Sequence, residues 1–167
     1  MKREQLLQRI DKAWRAFRDS YDGLSEAQLR QPGVTGPWSV RDIIAHVTTW
    51  EQEALKHLPA IAEGKRPPRY AALYGGIDAF NALMTSKKAG LSLRQVFRQQ
   101  EATHQRLIDY LHKVPEKHVI GETRFRQRLR LDTYGHYPVH ARAIRRWREQ
   151  QTAAHPPVSG GNPAGVC

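Results

Sequence analysis

Apolar residues recur at intervals of three and four along most of this sequence, and that spacing restricts the chain to amphipathic helices packed on one another. Leu6, Leu7, Ile10, Ala13, Trp14 and Phe17 give a helix from about Lys2 to Ser20 with a single core face. Ser25-Glu26-Ala27-Gln28 is a capping-box pattern and predicts a short turn of helix. After a loop holding Pro32, Gly33, Gly36 and Pro37, Ser39 suits the N-cap of a second helix. That helix carries Ile43, Ile44, Val47, Trp50 and Leu55 and fades near Gly64. Gly64 to Gly76 reads as an ordered loop, and Ile77 to Lys88 as a shorter helix with Phe80 and Leu83 facing inward. Ser92 caps a third long helix bearing Leu93, Val96, Phe97, Leu107, Ile108 and Leu111. An irregular stretch is expected from Pro115 to Leu131, within which Arg124, Arg126, Arg128 and Arg130 alternate as in an extended segment. A fourth long helix then runs from near Thr133 to near Gln151. The expected fold is all-α: a four-helix bundle over 1–151 with an additional short helix, and a mobile, uncharged tail over 152–167.

The length, 167 residues, suits one domain, and 40% apolar with 26% charged residues is an ordinary globular mix. No apolar run is long enough for a bilayer, and the charged, helix-periodic start argues against a signal peptide. The single cysteine, Cys167, excludes an internal disulfide or a thiolate cluster. A cytoplasmic protein is therefore expected. The net charge is +11, and eight arginines against one acid between Arg124 and Arg148 supply +7 of it. Such a segment attracts phosphates, nucleic acid or an anionic small molecule, or is a solvated basic surface.

Phosphate-binding glycine loops, G-x-S-x-G and H-E-x-x-H are all missing, which leaves the eight histidines as the chemistry-bearing group. His136 and His140 are four apart, so on a helix both rings project from one face. His46 is in phase with Ile43, Val47 and Trp50 and should point into the bundle. Three imidazoles from two helices could hold Zn²⁺, Ni²⁺ or Fe²⁺ and leave a coordination position open for water or substrate. Asp42, one turn before His46, is the candidate outer partner of the ligand set. Pro138 sets a condition, since a helix starting only at Tyr137 leaves His136 at its lip. Trp50, Tyr74, Phe80, Asn81 and Tyr134 are candidate pocket residues, and Glu51 and Asp78 candidate proton donors or acceptors. His104 lies in a polar context and is expected to be exposed, while His57, His112, His118 and His155 have no partner pattern.

The segment Trp38-Ser39-Val40-Arg41-Asp42-Ile43-Ile44-Ala45-His46-Val47-Thr48-Thr49-Trp50-Glu51 resembles the W-S-x-x-D-x-x-A-H-x-x-x-W-E stretch of DinB-like proteins. Ile77-Asp78-Ala79-Phe80-Asn81 and Thr133-Tyr134-Gly135-His136-Tyr137-Pro138-Val139-His140 narrow the resemblance to the ClbS/DfsB branch, over about Met1 to Gln150. The resemblance implies a DinB-like bundle in which one histidine of the second helix and two of the fourth bind a divalent metal, here His46, His136 and His140. It also implies hydrolase or thiol-dependent transferase chemistry on a small electrophilic molecule, in detoxification or self-resistance, with a low-molecular-weight thiol as a candidate cofactor. The ClbS/DfsB branch is associated with protection against a genotoxin by opening its cyclopropane. A homodimer is the candidate assembly. The alternative is a non-catalytic basic module, in which Arg124, Arg126, Arg128 and Arg130 line one side of a ribbon and contact DNA or an anionic ligand.

Overall fold

A computed structural model describes residues 2–155 of the protein. The helices are α1 (Arg3–Tyr21), α2 (Glu26–Arg30), α3 (Val40–Ala62), α4 (Tyr70–Tyr74), α5 (Ile77–Lys88), α6 (Leu93–Lys113), α7 (Arg124–Asp132) and α8 (Tyr137–Ala154). A single turn of 3-10 helix lies at Glu116–His118. Among the described residues there is no strand, only an isolated bridge between Thr35 and Trp38. The long helices α1, α3, α6 and α8 form the bundle, with α3 packed on α6 and α7, and α1 on α8. Their apolar stripes meet in one core, in which Phe17, Ile43, Leu107, Tyr137 and Ile144 are wholly buried. Each large apolar side chain so buried is worth about 1.5–3 kcal/mol against remaining in water. None of the helices is long and apolar enough to cross a membrane.

Capping chemistry fixes where the long helices begin. Ser39 Oγ accepts from Asp42 N, and the Asp42 carboxylate returns the bond to Ser39 N at 3.0 Å. Ser92 and Gln95 repeat the arrangement at the start of α6. The buried Arg41 guanidinium donates to the carbonyls of Lys88, Ala89 and Leu91, just past the last turn of α5, and so ties that helix to α3.

Several expectations need correction. The Arg124–Arg130 stretch is not extended but helical, because the Thr123 hydroxyl caps it and Phe125 and Leu129, one turn apart, are both buried. On a helix the four arginines no longer share a side: Arg124 and Arg128 lie one turn apart, Arg126 and Arg130 on another face. The segment from Pro115 onward is thus ordered, and the fourth long helix starts at Tyr137 rather than Thr133. The Gly64–Gly76 loop contains the short helix α4. Leu83 does not face inward but is 40% exposed. The helix α8 continues three residues past Gln151, and the rest of the expected tail, 156–167, lies outside the described residues.

Candidate metal centre and its cavity

The site is assembled by α3 and by the corner between α7 and α8. The loop before α3 folds tightly through Gly36, whose φ of 53° is in the left-handed region, and pairs Val34 N with Trp38 O. That turn seats the Trp38 indole against the His46 ring, 4.7 Å between centres. At the α7–α8 corner, Gly135 N donates to Arg130 O, and both His136 N and Tyr137 N donate to Thr133 O. A Cβ at Gly135 would stand 2.7 Å from Arg130 O, so glycine is required by a backbone approach. Pro138 falls in the first turn of α8, where an N–H has no helical partner to lose. His136 does sit at the lip, but its φ and ψ of −88° and −47° are helical, so the one-turn spacing to His140 survives.

The result is a convergence of three imidazoles. His136 Nε2 stands 3.1 Å from His46 Nε2 and 2.9 Å from His140 Nε2. Burial pushes all three rings toward the neutral form, helped at His46 and His136 by neighbouring imidazoles: His46 down to about 2, His136 to about 3 and His140 to about 4. Neutral, unprotonated nitrogens are what a metal ligand must offer. Ligand nitrogens at 2.0–2.1 Å from a tetrahedral ion lie about 3.3 Å apart, close to these separations. The residues present therefore fit a divalent ion. Asp42 does not serve as their outer partner, since its carboxylate is committed to Ser39 and Arg41. His136 Nδ1 is buried with no hydrogen-bond partner.

Beside the three rings opens a cavity of about 400 Å³ lined by His46, Trp50, Tyr70, Ile77, Asn81, Arg128, Leu131, Asp132 and His136. Asn81 Oδ1 accepts from the Trp50 indole N–H at 3.1 Å and so fixes that wall. Of the other pocket candidates, Phe80 is buried behind Trp50, and Tyr74 packs on Phe80 and Tyr70. Tyr134 is buried under the Arg9 guanidinium instead, 5.9 Å from its ring centre, and does not line the cavity. Tyr70, Arg128 and Asp132 were missed as cavity residues. The signal was present for Arg128 and Asp132, which are four apart, but only a helical reading of that segment could expose it.

Neither candidate proton carrier reaches the cavity. Asp78 is exposed on α5, and Glu51 is wholly enclosed in the core. Glu51 Oε1 accepts from Tyr137 Oη and stands 2.8 Å from His104 Nδ1, while its Oε2 has no partner. Enclosure pushes the Glu51 carboxyl up from its ordinary value. His104, expected in solvent, is instead stacked on Trp14 at 3.8 Å and 3°. His57 is also buried, 3.1 Å from Glu53 Oε2. The anion-binding candidates disperse: Arg124 donates to Gly64 O, Arg126 to Gly121 O, and Arg128 pairs with Asp132, while Arg130 is exposed.

No curated protein matches this sequence. Among solved structures, DfsB, described as a sibling lethal factor precursor, superposes with a TM-score of 0.76 at 16% identity, covering 90% of this chain and 97% of that one. A protein from Streptococcus pneumoniae gives 0.73 at 14%, covering 89% and 91%. The colibactin self-resistance protein ClbS, in complex with a dsDNA, gives 0.73 at 13%, covering 89% and 96%. Identities this low speak for the fold alone. The model of the DinB superfamily matches residues 9–142, and with the bundle it describes in place the chain belongs to the DinB superfamily.

Proposed function

We propose that the protein is a metal-dependent enzyme of the ClbS/DfsB type, acting on a small electrophilic molecule in detoxification or self-resistance. The observation that carries this reading is the meeting of three neutral imidazole Nε2 atoms at the edge of a half-open cavity. His46, His136 and His140 would hold one Zn²⁺, Ni²⁺ or Fe²⁺. A divalent ion so held by neutral ligands supplies Lewis acidity and brings a bound water's pKa towards neutrality. Asn81 and Phe80 position Trp50, and Trp50 and Tyr70 make the wall on which an organic substrate packs. With no carboxylate in the ligand set, the centre would also accept an anionic donor such as a low-molecular-weight thiolate.

The alternative is a basic module that contacts DNA. Its support is the net charge of +11 and the fold shared with a protein solved on dsDNA. Against it, Arg124, Arg126, Arg128, Arg145 and Arg148 are all bonded to carbonyls or carboxylates of this chain. Elemental analysis decides for or against the metal. Purified untagged protein is expected to carry about one divalent ion per chain and His140→Ala to lose it. Full occupancy in both His46→Ala and His140→Ala would remove the assignment.

A further inference from the structure

Part of the cavity wall is built around a single guanidinium, that of Arg128. Arg128 Nε donates to Asp132 Oδ2 at 2.5 Å and Nη2 to Tyr70 Oη at 2.8 Å. The guanidinium carbon lies 6.0 Å from the Trp50 ring centre and 5.6 Å from that of Tyr70. These contacts leave one nitrogen, Nη1, with no partner among the described residues. The side chain lines the cavity, so Nη1 is a donor held ready for whatever enters.

The charges around it say what kind of acceptor suits. Tyr70 Oη donates to Glu53 Oε2 at 2.6 Å, and His57 Nε2 lies 3.1 Å from the same oxygen. Asp132 thus pairs with the guanidinium directly and Glu53 is linked to it through Tyr70 Oη, with Lys56 3.9 Å from Glu53 on the solvent side. Burial keeps His57 towards its neutral form, so it adds no steady positive charge. Burial raises the Asp132 carboxyl to about 7; once ionised it balances Arg128, as Glu53 balances Lys56, so an anionic guest would leave one negative charge uncompensated. A neutral oxygen acceptor adds none. The lips of the cavity are apolar: Ile77 is 54% and Leu131 66% exposed, and with Trp50 they offer a greasy bed.

We propose that this cavity selects uncharged, mainly apolar molecules that carry one strong hydrogen-bond-accepting oxygen, such as an amide, lactam or ketone carbonyl. Arg128 Nη1 donates to that oxygen, and the apolar body lies on Trp50, Ile77 and Leu131. His46 and His136 line the same cavity, so a carbonyl held by Arg128 is presented to the histidine centre. The inference rests on the reading that this cavity is the working site, but it does not require the metal to be present.

The test uses metal-stripped full-length protein in excess chelator, with three naphthalenes of one shape followed by ligand-observed NMR titration. These are 2-naphthamide, 2-naphthoate and 2-methylnaphthalene. A charge-assisted hydrogen bond predicts that the amide binds at least about tenfold more tightly than the hydrocarbon. Charge balance predicts that it also outcompetes the carboxylate. Arg128→Met, verified as folded by circular dichroism, is expected to level amide and hydrocarbon. Equal affinities for the two in the unmodified protein would overturn the proposal, as would a tighter carboxylate or no binding by any. Because no metal is present, a protein that fails the metal analysis can still pass this test, and the reverse.

Discussion

Replacing Gly135 with alanine should damage both the fold and the histidine centre, by an amount that the geometry sets. The new Cβ would meet Arg130 O at 2.7 Å and Arg130 Cγ at 3.2 Å. The first contact is with backbone, so it cannot be relieved by a rotamer change. The corner must open by several tenths of an ångström, straining the Gly135 N to Arg130 O bond that closes it. Overpacking of this kind costs about 1–3 kcal/mol. For a domain of this size that is a fall in Tm of about 2–12 °C at about 2–4 °C per kcal/mol. The next residue is His136, so a shifted corner also moves the middle nitrogen of the three, and Zn²⁺ or Co²⁺ affinity should fall with stability. Gly90→Ala is the control: nothing lies within 4 Å of a Cβ there, and φ is not in the left-handed region. It is expected to be neutral or to stabilise by up to about 1 kcal/mol through the unfolded state. Paired thermal melts and Co²⁺ titrations would check the contrast. A Gly135→Ala protein that melts and binds Co²⁺ like the parent would refute the steric argument.

Two further outcomes follow from buried charge, and a third from exposed charge. The folded pKa values of His46, His136 and His140 lie below that of a free histidine, so the unfolded chain takes up protons that the folded chain refuses. Stability present above about pH 6.5 should be lost as pH falls towards 4, with a slope of up to three protons, about 4 kcal/mol per pH unit at most. Urea unfolding at several pH values measures it, and a slope unchanged by His46→Asn with His140→Asn would contradict the assignment. Glu51 has the opposite sign: its raised folded pKa means that the carboxylate costs stability as pH climbs above its unfolded value of about 4.3. Glu51→Gln should therefore gain on the parent between pH 5 and pH 8 in the same unfolding assay, and an equal decline in both would exclude ionisation of Glu51 as the cause. For nucleic acid, Arg130, Arg142 and Arg146 are the exposed arginines of the basic segment from Arg124 to Arg148 that have no internal partner among the described residues. Their neutralisation is expected to reduce the salt slope of loose duplex binding by up to about one unit each, whereas Arg126→Gln should act mainly on stability. Duplex affinities read at several salt concentrations would separate the two.

The sequence by itself determined the long helices, because their signals are local. Ser39 and Ser92 announce helix starts through bonds to residues three positions on, and a stripe such as Leu6, Ile10, Trp14 and Phe17 needs only a period of 3.6 to be seen. His46 in phase with Ile43 and Val47, and His136 one turn from His140, made the histidine set legible for the same reason. The rest was decided by packing. Arg124 to Arg130 alternates with a period of two, yet burying Phe125 and Leu129 against the bundle, with a cap at Thr123, makes it a helix. That choice sends Arg128 and Asp132 into the cavity and scatters the other arginines. Equally invisible were the partners of buried polar groups. Whether Asp42 would cap its own helix or support His46, and whether His104 would meet water or Glu51, depends on atoms brought together from distant parts of the chain. Pattern reading weighs each residue against its neighbours in sequence, whereas a buried charge is settled by whichever donors surround it once water has been excluded.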